Sequence, residues 1–309
     1  AYFASNINKT SGLGFKIDYA YGRGYYNSQA NSLFGSNFYG YHHGDRYNIH
    51  AYINVNHLKM GENGGIENDD YILNPQSFQQ KYTSKDIPVM LGQTWNRNHE
   101  QNYYLTHRYN LGFYRDIDLP DSLRPTPPSA TDLLMTLPDS LQQVLREDSI
   151  ARLAMIDSLT KNWMSQHVMP QEFVPVTSFI HTLDVRQLNH NYVSHGTPDD
   201  YYTNHYYGQW SDVYDQTYAL AVRNTLGVAL REGFNKWAQM GITLFGTHEF
   251  RRYRMNDWIP LTDTIGRHKY IENDISVGAE SLKKQGKLIH YNVNGEVWLI
   301  GQKSGDFSV

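Results

Sequence analysis

The feature of this chain that most constrains its fold is an alternation of apolar and polar residues with a period of two. The alternation is clear in residues 15–22, 46–58, 102–115 and 218–231. Side chains of a β-strand point alternately to its two faces, so this period predicts strands with two chemically different faces. An ordinary globular strand has about five or six residues, whereas a strand that crosses a membrane needs about 9–11. The length of these runs therefore favours strands that span a bilayer.

The two faces of the predicted strands differ in chemistry. One face is rich in tyrosine and β-branched residues, as expected of a surface that meets lipid, and the other is polar, as expected of an aqueous lumen. The residues predicted to face lipid are Phe15, Ile17, Tyr19, Ile49, Ile53, Leu111, Leu220, Val222, Val228, Ile242, Val293 and Leu299. The residues predicted to line a pore are Lys16, Asp18, Arg23, His50, Asn54, Arg108, Arg223, Thr225, Arg231, His290 and Glu296. Because charges of both signs occur among them, they predict a path with weak ion selectivity.

The same alternation is also typical of a soluble antiparallel sheet with one face in a protein core. The connections between strands help to separate the two interpretations. Short turns are predicted near residues 42–45, 232–236 and 283–287, and long polar loops near 60–86, 186–214 and 251–270. Outer-membrane barrels have short turns on one side and long loops on the other, so this asymmetry favours a barrel. The rule fails between residues 60 and 215, where either a strand is missed or one long segment lies on the short-turn side.

Composition excludes several other classes of protein. The chain has 309 residues, no cysteine and a formal net charge of −4. It therefore has no disulfide scaffold and no cysteine nucleophile, no basic footprint for nucleic acid, and no apolar run of about 18 residues that would predict a membrane-spanning helix. A nucleophile elbow and a phosphate-binding glycine loop are both missing, and the adjacent His42 and His43 would point to opposite faces of a strand. We expect no enzyme activity, no cofactor and no metal site.

One segment has a helical period instead. Residues 116–172 open with a proline-rich stretch, and apolar residues then recur at spacings of three and four. This spacing predicts two amphipathic helices, at about 139–147 and 149–165, with Asp139 and Asp148 near their N-termini as caps. The chain then consists of barrel strands in residues 1–115, a linker with a helical insertion in 116–172, and further barrel strands in 173–309. The helices at 139–165 are expected either to bind a protein partner or simply to cover a rim of the barrel.

Several segments in both halves carry motifs that occur together in one known family. They include SNFYGYHHGDRYNIHA at 36–51, NGGI at 63–66, YNLGFYR at 109–115, FVPVTSFIHT at 173–182 and REGFNK at 231–236. In these motifs the chain resembles the Putative porin family of Bacteroidetes-type bacteria, over most of its length apart from the helical insertion. The resemblance implies a β-barrel in the outer membrane of a Gram-negative bacterium, with porin activity inferred at the level of the family and no catalytic motif. The long helical insertion departs from the shorter connection expected there, so an open pore does not follow from the resemblance alone.

The sequence thus predicts an all-β fold, part of an antiparallel transmembrane β-barrel with about ten long strands joined as hairpins and with a helical insertion. The chain starts at Ala1 without an initiator methionine, so we expect an internal piece of a longer protein. The expected function is passive diffusion of small polar solutes through a barrel embedded in outer-membrane lipid. Two alternatives remain open at this point: a barrel with an occluded pore that acts as a scaffold for a docked partner, and a soluble β-sandwich that binds glycans.

Overall fold

A computed structural model of the chain contains one large β-sheet and a group of short helices. The structure describes residues 1–120, 124–167, 169–198, 201–202, 208–209, 212–259, 264–286, 289–301 and 305–308. The strands are β1 (Tyr2–Asn6), β2 (Ser11–Gly22), β3 (Asn31–His43), β4 (Tyr47–Gly61), β5 (Gln93–Asp116), β6 (Gln171–His195), β7 (Gly208–Gln209), β8 (Asp212–Leu230), β9 (Gly241–Ile259), β10 (Thr264–Lys283), β11 (Tyr291–Ile300) and β12 (Gly305–Ser308). The helices are α1 (Asp70–Leu73), α2 (Ala130–Met135), α3 (Asp139–Glu147) and α4 (Ser149–Gln166), with a 3₁₀ helix at Pro75–Ser77. Within these ranges, no helix combines the length and the apolar character that crossing a membrane would require.

All the described strands belong to a single sheet in which strands adjacent in the chain pair side by side. The paired strands run antiparallel, and β5 and β6 reach 24 and 25 residues. This arrangement confirms the prediction of a mostly antiparallel fold of about ten long strands with a helical insertion. The strands β1 and β12 form the two edges and do not pair with each other in the described residues, so the sheet is not closed. A β-sandwich needs two packed sheets, and that alternative receives no support from a single sheet.

Two of the predicted long loops are wrong, because most of their residues are strand. Residues 186–195 continue β6, and residues 251–259 and 264–270 form the facing ends of β9 and β10. In the extended ends of β6, β9 and β10 both faces carry polar residues. The hydropathy alternation that marks a strand is therefore lost there, although the backbone pairing continues.

The connections at the two ends of the sheet differ in character. One end, the turn end, carries the connections at residues 7–10, 44–46, 231–240 and 284–290, of which residues 287 and 288 lie outside the described ranges. The opposite end, the loop end, carries the connections at 23–30 and 62–92 and the one that follows β6. The connection from β5 to β6, which holds the helices, leaves the sheet at the turn end. It is the long segment that interrupts the alternation of short and long connections between residues 60 and 215.

The chain divides into two compact units, one of residues 1–111 with 175–309 and one of residues 112–174. In the second unit, α3 and α4 agree with the predicted helices to within one residue. Asp148 caps α4 as predicted, because its carboxylate accepts hydrogen bonds from the N–H groups of Ile150 at 3.0 Å and Ala151 at 3.1 Å. Asp139 does not cap α3: it lies in the first turn, after Pro138, where its charge suits the positive end of the helix dipole. The sequence analysis missed the six-residue helix α2.

Few hydrophobic side chains are buried. In the described residues they number nine, and none of them is one of the residues predicted to face lipid. Three of the nine, Ile87, Val89 and Leu91, belong to the connection 62–92 at the loop end. The apolar residues of the sheet are therefore not packed in a protein core.

Two connections at the turn end are tied together by Glu232. Its carboxylate, at the start of the β8–β9 connection, accepts hydrogen bonds from the backbone N–H groups of Lys284 and Gln285, each at 2.7 Å. Burial on its own would raise the pKa of Glu232, but these two N–H groups, with Lys283 and His290, outweigh burial and hold the pKa below its ordinary value. The charged form is therefore the one that joins the two connections.

We expect this tie to depend on pH. A carboxylate whose pKa is lowered by folding stabilises the folded state above its unfolded pKa, about 4.3 for glutamate, and loses that effect as the pH falls through the folded pKa. Hydrogen exchange at the Lys284 and Gln285 amides should therefore be slow near neutral pH and lose protection on acidification. Glu232→Gln should remove the pH dependence and leave weaker protection throughout. Unchanged protection in the variant would contradict the role of Glu232.

Candidate solute path

Most of the residues predicted to line a pore project from one face of the sheet, here called the polar face. Residues directly opposite each other in an antiparallel pair share a face, and Lys16 lies opposite Asn37, which lies opposite Asn54. Further along, Thr106 and Thr182 are joined by a hydrogen bond of 3.0 Å between their hydroxyl groups. The residues of the prediction on this face are Lys16, Asp18, His50, Asn54, Arg108, Arg223, Thr225 and Glu296.

Three predicted pore residues lie outside the strands. Arg231 follows β8 directly, and its backbone N–H still donates to the carbonyl of Val176 at 2.8 Å, so it extends the pairing. Arg23 follows the end of β2, and His290 precedes β11. These two residues belong to connections, and their role in a pore stays a prediction.

The residues predicted to face lipid share the opposite side of the sheet, here called the apolar face. Phe15 lies opposite Phe38, which lies opposite Ile53, and Val228 lies opposite Leu244. The same alternation along each strand places the other predicted residues on this face: Ile17, Tyr19, Ile49, Leu111, Leu220, Val222, Ile242 and Val293. Leu299 lies where the pairing of β10 and β11 shifts register. The contact of this face with lipid stays a prediction at this point.

Exposure on the two faces is the reverse of that in a soluble sheet. On the polar face Ser178 and Asp274 are only 0% and 3% exposed. On the apolar face Leu226 and Leu244 are 65% and 61% exposed. Moving one such side chain from water into an apolar medium is worth about 1.5–3 kcal/mol, so a face of this kind requires an apolar environment.

The polar face is held together by hydrogen bonds that cross from strand to strand, and it carries ion pairs both within a strand and between strands. The Ser178 hydroxyl donates to the Asn110 side-chain oxygen at 2.7 Å, and the hydroxyl groups of Thr225 and Thr247 are 3.0 Å apart. The ion pairs are Lys16–Asp18 at 2.8 Å, Arg186–Asp184 at 2.8 Å and Arg223–Glu296 at 3.7 Å. These three ion pairs neutralise six charged side chains on this face.

The sequence analysis missed the largest charge cluster of the polar face. The Arg251 guanidinium forms ion pairs with Glu272 at 3.1 Å, with Glu249 at 3.6 Å and with Asp274. Residues 251–270 were predicted to be a loop and Glu272 was not part of a predicted strand, so neither Arg251 nor Glu272 was assigned to a face. The spacing of two between Glu249, Arg251 and Tyr253 is the signal that could have placed them on one face of a strand.

Two arginines near the turn end differ from the others on the polar face. Arg108 and Arg231 line one cavity of about 380 Å³, together with His43, Asn48 and His50. Neither guanidinium forms a salt bridge or a hydrogen bond with any side chain in the described part of the chain, although Glu280 is close enough to act on Arg108 electrostatically. Two cations that line the same polar cavity make it a region of positive potential.

Comparison with known proteins identifies one family. No curated protein matches the chain. The model of the family described as "Putative porin" matches residues 1–309, the full length of the sequence. The chain therefore belongs to the Putative porin family.

Proposed function

We propose that this chain forms part of a β-barrel in the outer membrane of a Gram-negative bacterium and that small polar solutes diffuse passively through the barrel. The single observation that carries the proposal is the inverted exposure of the two faces. Residues such as Leu226 and Leu244 are exposed, while Ser178 and Asp274 on the opposite face are buried. The first face is stable in contact with lipid and the second is stable in contact with water. A paired strand can cross a bilayer because its backbone groups are hydrogen-bonded to neighbouring strands.

A groove on the apolar face also supports contact with lipid. It has a volume of about 980 Å³ and is lined by apolar side chains of β5 to β11, including Tyr109, Leu226, Leu244 and Val277. Gly246 and other small residues form part of its floor. A groove of this kind has few polar groups to hold a water-soluble ligand, and it suits acyl chains.

Passive diffusion can be tested by swelling of liposomes that contain the full chain. Vesicles loaded with a non-permeant polymer should swell when placed in an isotonic solution of a small sugar or amino acid, and the rate should fall as the solute becomes larger. Vesicles with the protein inserted but without solute flux would overturn passive diffusion. Recovery of the chain in the soluble fraction, without detergent, would overturn the membrane assignment itself.

The second candidate function is docking of a protein partner at helices 139–165. It is favoured by exposed apolar side chains on α3 and α4, where Val144, Ile150 and Leu153 are all largely accessible. In this case a partner would bind at the helices and the path would be occluded. Removal of residues 124–167 should then increase solute flux and abolish capture of the partner. Equal flux with and without the helices would count against occlusion.

A further inference from the structure

The few charged residues on the apolar face of the strands are almost all basic, and they gather at its loop end. Lys59 and Arg97 lie directly opposite each other on β4 and β5, and Arg254 lies opposite Lys269 on β9 and β10. Arg252 lies opposite Leu220, one of the residues predicted to face lipid. These five residues, here called the basic cluster, therefore border the apolar surface rather than the lumen. Two more cations share the face on β10, Arg267 beyond Lys269 and Lys283 at the turn end.

Acidic residues are distributed in the opposite way. In the described strands β2 to β11, leaving aside residues 112–174 of the second unit, Asp212 at the end of β8 is the one acidic residue on the apolar face, and it pairs with His195 at 2.9 Å. The others lie on the polar face: Asp18, Glu100, Asp184, Asp215, Glu249, Asp257, Glu272, Asp274, Glu280 and Glu296. A chain with a net charge of −4 thus presents a positive border on its apolar face.

In the part of the chain that the structure describes, the basic cluster has no salt-bridge partner. Lys16, Arg186, Arg223 and Arg251 on the polar face all form salt bridges. None of the five residues of the basic cluster does so with a side chain in the ranges that the structure describes.

Instead, four of the five cations of the basic cluster, all but Lys269, lie over aromatic rings. Lys59 Nζ lies 4.5 Å from the centre of the Trp95 ring, and the Arg97 guanidinium carbon lies 5.3 Å from the same ring. On the other side, Arg252 and Arg254 lie over the Tyr218 ring at 5.5 and 5.4 Å. Such contacts hold a cation in place without neutralising its charge, so each guanidinium keeps free N–H donors. The buried indole N–H of Trp95 also has no acceptor in the described residues.

We propose that the basic cluster binds the phosphate groups of anionic lipids whose acyl chains cover the neighbouring apolar face. The ligand must be amphiphilic, because the cations of β9 and β10 continue directly into the apolar side chains of Leu220 and Ile271. Arginine donors match phosphate oxygens in geometry and charge, and a polar headgroup at this level lies at the rim of the bilayer. The inference rests on the assignment of the apolar face to lipid, and it does not depend on solute passage.

The test measures lipid affinity of the full chain in detergent micelles by native mass spectrometry. The probes are phosphatidylglycerol and phosphatidylcholine with identical acyl chains. The unmodified chain should prefer phosphatidylglycerol, and Arg252→Gln with Arg254→Gln should weaken that binding about fivefold for each cation removed. Lys59→Gln with Arg97→Gln provides a second, independent pair in case the first impairs folding.

The matched control removes two exposed arginines from the helices, Arg146→Gln with Arg152→Gln. It lowers the net charge by the same amount and should leave phosphatidylglycerol binding unchanged. An equal loss in the control, or equal affinity of the unmodified chain for the two lipids, would overturn the proposal. Failure of the chain to associate with either lipid would instead overturn the assignment of the apolar face, and with it the proposed function.

Discussion

Replacing Val222 by arginine should destabilise the folded chain in a bilayer by about 2–4 kcal/mol, the range expected for a charged residue at the midplane on the lipid face of a barrel. Val222 lies near the middle of the apolar side of β8, directly opposite Val185 and Phe250 on the neighbouring strands. An arginine there has no carboxylate opposite it, because its neighbours are Val185 and Phe250. Outside residues 112–174, the one acidic residue on this side of the described strands is Asp212 at the end of β8. The guanidinium would either be buried in lipid or draw water molecules into the bilayer, and both cost free energy.

The control for this prediction is the same substitution one residue earlier, Ala221→Arg. Ala221 lies on the polar face, opposite Arg186 and Arg251, so a new cation there remains hydrated and costs little beyond repulsion from its neighbours. Both variants can be compared by urea unfolding of the full chain refolded into phosphatidylcholine vesicles, followed by tryptophan fluorescence. Equal losses of unfolding free energy for the two variants would mean that the faces have been assigned the wrong way round.

The assignment of faces could be predicted from sequence because it depends on local information. Side chains such as Phe15, Ile17 and Tyr19 alternate with Lys16 and Asp18, and a strand has to place the two sets on opposite sides. The helices α3 and α4 could be predicted for the same reason, since their apolar spacing lies within one segment. Local periodicity fails only where strands continue beyond the apolar part of the sheet. At Arg251 and Arg252 both faces are charged, and the pattern no longer distinguishes a strand from a loop.

Which residues come together in the candidate site depends on the pairing register of the strands, and no local sequence pattern specifies that register. Arg108 and Arg231 are far apart in sequence, and they line the same cavity because the pairing of β5, β6 and β8 brings them together. The pairing of β5 with β6 cannot be predicted across the long helical connection, because the length of that connection does not determine which residues of the two strands face each other. The basic cluster was missed for a related reason: its residues lie on four strands, and their common face is visible only once the strands are paired.

Removing the positive charge of the cavity at the turn end should lower the chloride-to-potassium permeability ratio of the path. Arg108→Gln with Arg231→Gln takes away two cations that have no salt-bridge partner in the described residues and leaves Glu280 nearby. A concave site lined by charges of one sign raises the local concentration of counter-ions by about tenfold or more, so the chloride-to-potassium permeability ratio should fall by about tenfold at low salt. The ratio can be measured from reversal potentials of the full chain in planar bilayers under a potassium chloride gradient.

The salt dependence separates an electrostatic effect from a change in pore shape. The Debye length shrinks from about 30 Å at 0.01 M to about 3 Å at 1 M salt, so the difference between the unmodified chain and the glutamine variant should nearly vanish at high salt. Arg108→Lys with Arg231→Lys keeps both charges and should give the same permeability ratio as the unmodified chain at every salt concentration. If the lysine variant loses selectivity as fully as the glutamine variant, the geometry of the guanidinium groups rather than their charge controls passage. A permeability ratio that is identical in all three proteins would instead show that solutes do not pass the Arg108–Arg231 cavity.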